Sequence, residues 1–213
     1  MKKDTLVKLV VGLLLCVTAT LVLGQISDHF DIDSRHESTT STKTKKIKKA
    51  AVKKTVTKKA QDSTMQKPIN WRKSSETKAY PDVKQAADFW IKVSTEKERV
   101  YLMDGSKKLY TMYASTGSKD QATPKGTWHI QYEKGDFFYN QESGEGAKYW
   151  VSFKDHGVYL FHSVPTDQEG NFIEKEAQQL GKQAASHGCV RLSVPDAKWF
   201  YQNIPPETKV VIS

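Results

Sequence analysis

Between residues 89 and 161 the chain is a succession of short runs rich in β-branched and aromatic residues, separated by Gly, Asp and Asn. The runs are Trp90-Ile91-Lys92-Val93, Arg99–Met103, Lys108–Ala114, Thr127–Tyr132, Tyr149–Phe153 and Val158–Phe161, with Asp104-Gly105 as one of the turn signals. Such runs are too short for helices and have the make-up of half-buried strands. Their spacing pairs them as hairpins, which predicts a mainly β domain, an antiparallel sandwich or barrel. Two helices fit between the later strands. Ile173 to Gln183 is rich in Glu, Ala, Gln and Leu and ends near Gly181. Ser193-Val194-Pro195-Asp196 carries a capping serine, a proline near the first turn and an acid three residues on, so Pro195 to Asn203 is predicted helical. Thr208 to Ile212 reads as a last strand after Pro205-Pro206.

The charge divides the chain at about residue 80. Residues 1–80 hold 17 Lys+Arg against 7 Asp+Glu, and residues 81–213 hold 16 against 17, so the net +9 belongs to the N-terminal third. Met1-Lys2-Lys3 and Lys8 precede an almost uncharged apolar run from Leu9 to Ile26. Lysines ahead of such a run fit a membrane anchor or a secretory signal over residues 1–27, and either exports the rest of the chain to the extracytoplasmic side. Cys16 sits inside this run and reads as a helix residue. Residues 28–80 are rich in Ser, Thr and Lys with few aromatics, and a segment of that composition cannot bury enough apolar surface to offset its ordering entropy. They are expected to form a disordered linker, with Lys43–Lys59 able to meet anionic wall polymers or lipid headgroups. Nucleic acid is excluded as a partner by export. Residues 81–213 are expected to be a self-sufficient, soluble unit, with a core at about 89–213 and a monomeric state.

Cys189 is the one cysteine outside the apolar segment, so it has no internal disulfide partner. It lies in Ser186-His187-Gly188-Cys189-Val190-Arg191-Leu192. If that stretch is extended or a tight turn, residues two apart project to one side and His187, Cys189 and Arg191 cluster. A polar, cationic setting of that kind lowers a thiol pKa. Cysteine chemistry needs a base, and histidine is the usual one. His129 sits among strand residues and His156 precedes a turn glycine, so both read as structural or surface groups. His162 ends the run Val158–Phe161, where functional side chains often emerge. On the residues alone either His162 or His187 serves as the base.

These segments resemble the L,D-transpeptidase catalytic domain, or YkuD, family. The resemblance rests on His162-Ser163, on Ser186-His187-Gly188-Cys189-Val190-Arg191, and on the earlier Ser115-Thr116-Gly117 and Thr123-Pro124-Lys125-Gly126-Thr127. It covers about residues 89–213. It implies a β-sandwich or barrel of the L,D-transpeptidase type, with Cys189 as nucleophile and His162 as base. It implies that Ser163 orients the imidazole through its backbone carbonyl, and that His187, Gly188 and the amide of Cys189 stabilise an oxyanion. Arg191 and Ser186 are implied as substrate-binding or supporting residues. The interval from His162 to Cys189 is longer than the common family spacing, the excess being Thr166 to about Glu176. That insertion reads as a loop leading into a helix over Glu174–Leu180, with a lid over the cleft as one role for it.

The resemblance further implies acyl transfer on peptidoglycan stem tetrapeptides in cell wall biogenesis, giving 3–3 cross-links through a Cys thioester, with no metal and no cofactor. With water as acceptor the same chemistry gives an L,D-carboxypeptidase. Three rivals compete with this reading. A sortase places its cysteine after Leu-x-Thr, a pattern that is missing here. A zinc site from His162, His187 and Cys189 has the right ligand types, although no pair of cysteines at metal spacing accompanies it. A non-catalytic wall-binding module has no use for the Ser-His-Gly-Cys run.

Overall fold

The structure, a computed structural model, describes residues 64–213. Nine strands form one sheet: β1 (Phe89–Ser94), β2 (Arg99–Asp104), β3 (Lys107–Ser115), β4 (Gly126–His129), β5 (Lys134–Asn140), β6 (Glu145–Lys154), β7 (Tyr159–Ser163), β8 (Val190–Leu192) and β9 (Lys209–Ile212), in the order β4-β9-β1-β2-β3-β8-β7-β6-β5. The sheet curls. The Gln131 N–H donates to the Ser152 carbonyl at 2.8 Å and the Ser152 N–H to the Glu133 carbonyl at 2.9 Å, so the chain leaving one edge strand reaches β6 near the other edge.

The predicted antiparallel pattern holds for β1-β2-β3 and β5-β6-β7, but β1/β9 and β7/β8 pair in parallel. Parallel neighbours cannot be joined by a tight hairpin, and neither pair is. Residues 164–189, containing α1 (Glu174–Ala177), link β7 to β8, and α2 (Val194–Asn203) lies on the connection from β8 to β9. The α2 start follows its sequence signals, for the Asp196 N–H donates to Ser193 Oγ at 3.2 Å. Its inner face carries Ala197 and Phe200 into the curl, where Phe200 stacks on Phe161 at 4.6 Å between ring centroids. Ile91, Val93, Val100, Leu102, Met112, Val190 and Leu192 complete that core. The helix expected over 173–183 is only the single turn of α1. Beyond Ala177 the chain turns to bury Leu180, and the Gly181 N–H is taken by the Ala114 carbonyl of β3 at 2.8 Å, which outcompetes helical bonding.

The linker expected up to residue 80 is corrected over 64–80. Those residues form a strap, a narrow hairpin in which the Gln66 N–H meets the Ser75 carbonyl and the Thr77 N–H meets the Thr64 carbonyl. Trp71 is buried against Phe172, 5.3 Å between centroids. Ser75 and Glu76 are buried too, and their side chains accept from the β3 amides of Tyr113 and Thr111 at 2.7 and 2.6 Å. Average composition hid this because a few residues do the packing among many lysines. The predicted anchor over 1–27, the rest of the linker and the Lys43–Lys59 contact site lie outside the described residues. Among the described residues no helix is long and apolar enough to cross a membrane.

Candidate active site

The parallel register of β7 and β8 decides which side chains meet. His162 lies opposite Arg191, with Phe161 opposite Val190 and Ser163 opposite Leu192. Alternation then sends Phe161, Val190 and Leu192 into the core and Leu160, His162, Cys189 and Arg191 to the other face. These last four line a cleft of about 460 Å³, walled by Phe138 and Trp150 from the β5–β6 hairpin. His129 and His156 lie outside it. His156 is exposed and pairs with Glu133 at 2.8 Å.

His162 is buried, edge-on to Phe138 with centroids 5.7 Å apart. Its Nδ1 lies 2.6 Å from the carbonyl oxygen of Ser163. A carbonyl only accepts, so Nδ1 carries the proton and Nε2 keeps its lone pair. The Ser163 hydroxyl donates to the Val164 carbonyl at 2.8 Å and accepts the Lys148 N–H at 2.9 Å, which fixes the turn that presents that carbonyl.

Burial, and next the charge of Arg191, hold His162 down to about 3 against the pull of the Ser163 carbonyl. Cys189 is half-buried, with Sγ 3.6 Å from the Val158 carbonyl. Burial pushes its thiol up to about 11, helped by Glu145 and opposed by the Leu160 backbone and Arg191. The expected lowering of the thiol pKa is therefore reversed. The cation meant to supply it is already spent on two carboxylates, so desolvation wins. At neutral pH the pair rests as thiol and neutral imidazole.

The Ser186–Cys189 loop is held from below and within. Gly188 has φ +113°, and a Cβ there would meet Tyr159 Cε1 at 2.9 Å, so only glycine fits. The Ser186 hydroxyl donates to the Cys189 carbonyl at 2.6 Å and accepts the Gly188 N–H at 3.1 Å. Ser186 is buried at the edge of the cleft and its hydroxyl shapes the loop by donating once and accepting once. The same bond removes the Gly188 amide from the implied oxyanion donors. His187 is half-exposed, its Nδ1 3.7 Å from Glu145 Oε2.

Of the two roles implied for Arg191, its contacts fit the supporting one. Its side chain is 2% exposed, with Nη2 on Glu145 Oε2 at 2.8 Å and Nη1 on Glu176 Oε2 at 3.1 Å. A guanidinium so enclosed supports the wall of the cleft and has no surface for a substrate carboxylate. Glu176 comes from the insertion after His162. No residue of 166–176 lines the cleft. Thr166 is tied to Gly146 on one side and Phe172 on the other, which anchors the segment to β6.

Sequence reasoning missed Glu145, Glu176, Phe138 and Trp150, which no local motif marks. It also missed Glu98, buried at the β1–β2 turn, whose carboxylate accepts from the Thr116 N–H at 2.6 Å and the Thr116 hydroxyl at 2.7 Å. The Thr116 carbonyl in turn accepts the N–H groups of Ala185 and Ser186. Gly117 follows because a Cβ there would lie 2.1 Å from the Gln121 carbonyl oxygen. The Ser115-Thr116-Gly117 segment thus supports the cysteine loop.

Residues 88–212 match the family model of the L,D-transpeptidase catalytic domain, YkuD. The chain belongs to that family. A curated relative, YciB of Bacillus subtilis (strain 168), named as a candidate L,D-transpeptidase, is 49% identical over 153 residues, which is 70% of this chain and 77% of the relative. Similar solved structures include an L,D-transpeptidase from Mycobacterium smegmatis, 18% identical with a TM-score of 0.49 over 59% of this chain and 58% of that one. Another is an L,D-transpeptidase from Mycobacterium tuberculosis H37Rv, 21% identical with a TM-score of 0.48 over 59% and 57%. The chain thus spans less than two thirds of those solved chains. In this L,D-transpeptidase domain the cleft brings together a thiol, an imidazole with one free nitrogen and the apolar side chains of Phe138, Trp150 and Leu160. Those are the parts that nucleophilic acyl transfer requires.

Proposed function

We propose that the protein is a peptidoglycan L,D-transpeptidase that forms 3–3 cross-links through a thioester on Cys189, working outside the membrane behind the N-terminal apolar segment. The observation that carries this reading is the β7/β8 register, which puts Cys189 and His162 on one cleft wall with His162 Nδ1 on the Ser163 carbonyl. Because thiol and imidazole both rest neutral, no preformed ion pair attacks. Sγ adds to the carbonyl of stem residue three as its proton passes to His162 Nε2. With the Gly188 amide committed to Ser186, the Cys189 amide and the His187 side chain are the oxyanion donors that remain. Collapse breaks the C–N bond to the terminal D-Ala, whose nitrogen takes the proton back from His162. A stem amine then attacks the thioester, the C–S bond breaks, and the amine's proton returns through His162 to Sγ.

The test is incubation of purified protein with a disaccharide-tetrapeptide and mass spectrometry of the products. The expected product is a cross-linked dimer that has lost one D-Ala. A tripeptide alone makes the enzyme an L,D-carboxypeptidase with water as acceptor, and unchanged substrate overturns the enzymatic reading.

A further inference from the structure

The charges on the cleft wall are unevenly matched. The titratable side chains lining it are Glu145, His162, His187, Cys189 and Arg191. His162 and Cys189 are neutral, and Arg191 is enclosed and shared by two carboxylates, Glu145 and Glu176. One positive charge against two negative ones leaves a surplus of negative charge. Glu145 is the carboxylate of the two that reaches the cleft, with a side chain 22% exposed. Its contacts with Arg191 and His187 both use Oε2, which leaves Oε1 for a ligand. It lies near enough to the reacting centre for its charge to be felt at the Cys189 thiol.

Resting on the transpeptidase reading, we propose that Glu145 is a specificity-determining residue that recruits a cationic acyl acceptor, the primary ammonium group of an incoming stem peptide, to the Cys189 thioester. An ammonium ion needs a carboxylate, and in a partly desolvated cleft that attraction exceeds its value in water. The bound ammonium must lose one proton to solvent before it can attack. The neutral amine then forms the C–N bond as the C–S bond breaks, and its second proton passes through His162 Nε2 to Sγ. Water carries no charge for Glu145 to hold, so the residue biases the thioester towards aminolysis over hydrolysis.

The test compares two acceptors on the acyl-enzyme formed from a tetrapeptide donor. Nα-acetyl-lysine amide is an ammonium ion at neutral pH, and hydroxylamine is largely uncharged. Aminolysis against hydrolysis is read by mass spectrometry for wild type, Glu145→Gln and Glu176→Gln. Glutamine at 145 keeps an oxygen for Arg191 Nη2, and Glu176→Gln perturbs Arg191 from the side away from the cleft. Glu145→Gln is expected to lower kcat/KM for the lysine amine about fivefold relative to hydroxylamine, the scale of one partly exposed ion pair. Glu176→Gln is expected to leave that ratio unchanged. Equal losses for both acceptors in Glu145→Gln, or the same selectivity change in Glu176→Gln, overturn the role of Glu145 and leave the transpeptidase reading standing. A wild-type acyl-enzyme that only hydrolyses overturns both.

Discussion

Two buried charge centres sit on this sheet, and they are built on opposite terms. Under the strap, the Asp196 carboxylate accepts from the Ser75 hydroxyl at 2.5 Å, the Tyr80 hydroxyl at 2.7 Å and the Ser75 amide at 3.3 Å. Tyr80 is itself clamped between Tyr110 and Trp199, with centroids 4.8 and 4.9 Å away. Neutral donors satisfy the charge. In the cleft, Arg191 is shared by two carboxylates while its Nε has no hydrogen-bond partner, and the neighbouring thiol and imidazole are held neutral beside open volume. A site whose donors and acceptors are complete and enclosed stabilises. Where acceptors such as Glu145 Oε1 and His162 Nε2 are left open beside a cleft, a ligand supplies the missing partner. The strap therefore belongs to the fold and the Arg191 wall to the chemistry, and each assignment can be broken by experiment.

The largest expected effect comes from removing the strap. A protein of residues 81–213 loses the buried Trp71 and leaves Asp196 buried without Ser75 or Tyr80. Loss of a buried tryptophan costs about 3–5 kcal/mol and stranding a buried carboxylate adds about 1–3 kcal/mol. Residues 64–213 should unfold cooperatively in urea, whereas 81–213 should bind a hydrophobic dye and lack a sharp transition. Equal midpoints would make the strap an ornament and restore the expectation that residue 81 begins a self-sufficient unit.

The next largest effect should separate the two centres. Cys189→Ser should slow acylation by a carbapenem on the order of 10³-fold or more, because oxygen is the poorer nucleophile, with an unchanged unfolding midpoint. Asp196→Ala should do the reverse, losing about 3 kcal/mol of stability while the folded fraction still acylates. Intact-mass kinetics and urea unfolding on both variants give the comparison. A stable but inactive Asp196→Ala would mean that the strap side reaches the chemistry.

What could be read in the sequence divides along the same line. Strands with strong alternation, such as Arg99–Met103, and the capped helix from Ser193 emerge from local pattern. The resemblance carried by the compact motifs picked out His162 and Cys189, which the structure places on one cleft wall. β5 escaped because Lys134-Gly135-Asp136 opens it and much of it is exposed, so it shows no core periodicity. β8 is three residues long and carries the buried Arg191 at its centre. The partners of that arginine lie 46 and 15 residues away and those of Asp196 up to 121, separations at which charge pairing leaves no local trace. The strap vanished for a related reason, since its few packing residues are diluted by lysine, serine and threonine.

A pH series sharpens the account of the cleft. With His162 neutral down to about 3 and the thiol protonated up to about 11, neither group titrates between pH 6 and 9, so both should contribute a flat wild-type acylation rate there. His162→Ala removes the base, and its rate should be lower by on the order of 10² and rise about tenfold per pH unit as thiolate forms. A rising wild-type profile parallel to that of His162→Ala would show that the imidazole takes no proton. Stability follows the same group. The folded pKa lies below the unfolded value of about 6.5, so the stability present above that pH is lost as pH falls towards 3. His162→Gln, which cannot titrate, should flatten that part of the urea-stability profile.

The smallest expected effect lies at Glu98, buried on the β1–β2 turn. Burial raises its pKa, while the Thr116 hydroxyl and amide oppose that shift by donating to the carboxylate. Through the Thr116 carbonyl this contact reaches the Ala185 and Ser186 amides, and Ser186 shapes the loop that holds Cys189. Glu98→Gln replaces one acceptor oxygen by an amide that faces a donor, which should cost about 1–2 kcal/mol. If the bond serves only the fold, the unfolding midpoint falls and the acylation rate of the folded protein does not move. A supporting role for the cysteine loop predicts in addition a decrease of a few fold in acylation, smaller than the loss in Cys189→Ser. Thr116→Val, which removes the hydroxyl and keeps both backbone bonds, should lower stability while sparing the rate. A rate loss in Thr116→Val as large as that in Glu98→Gln would shift the support from the backbone path to the hydroxyl.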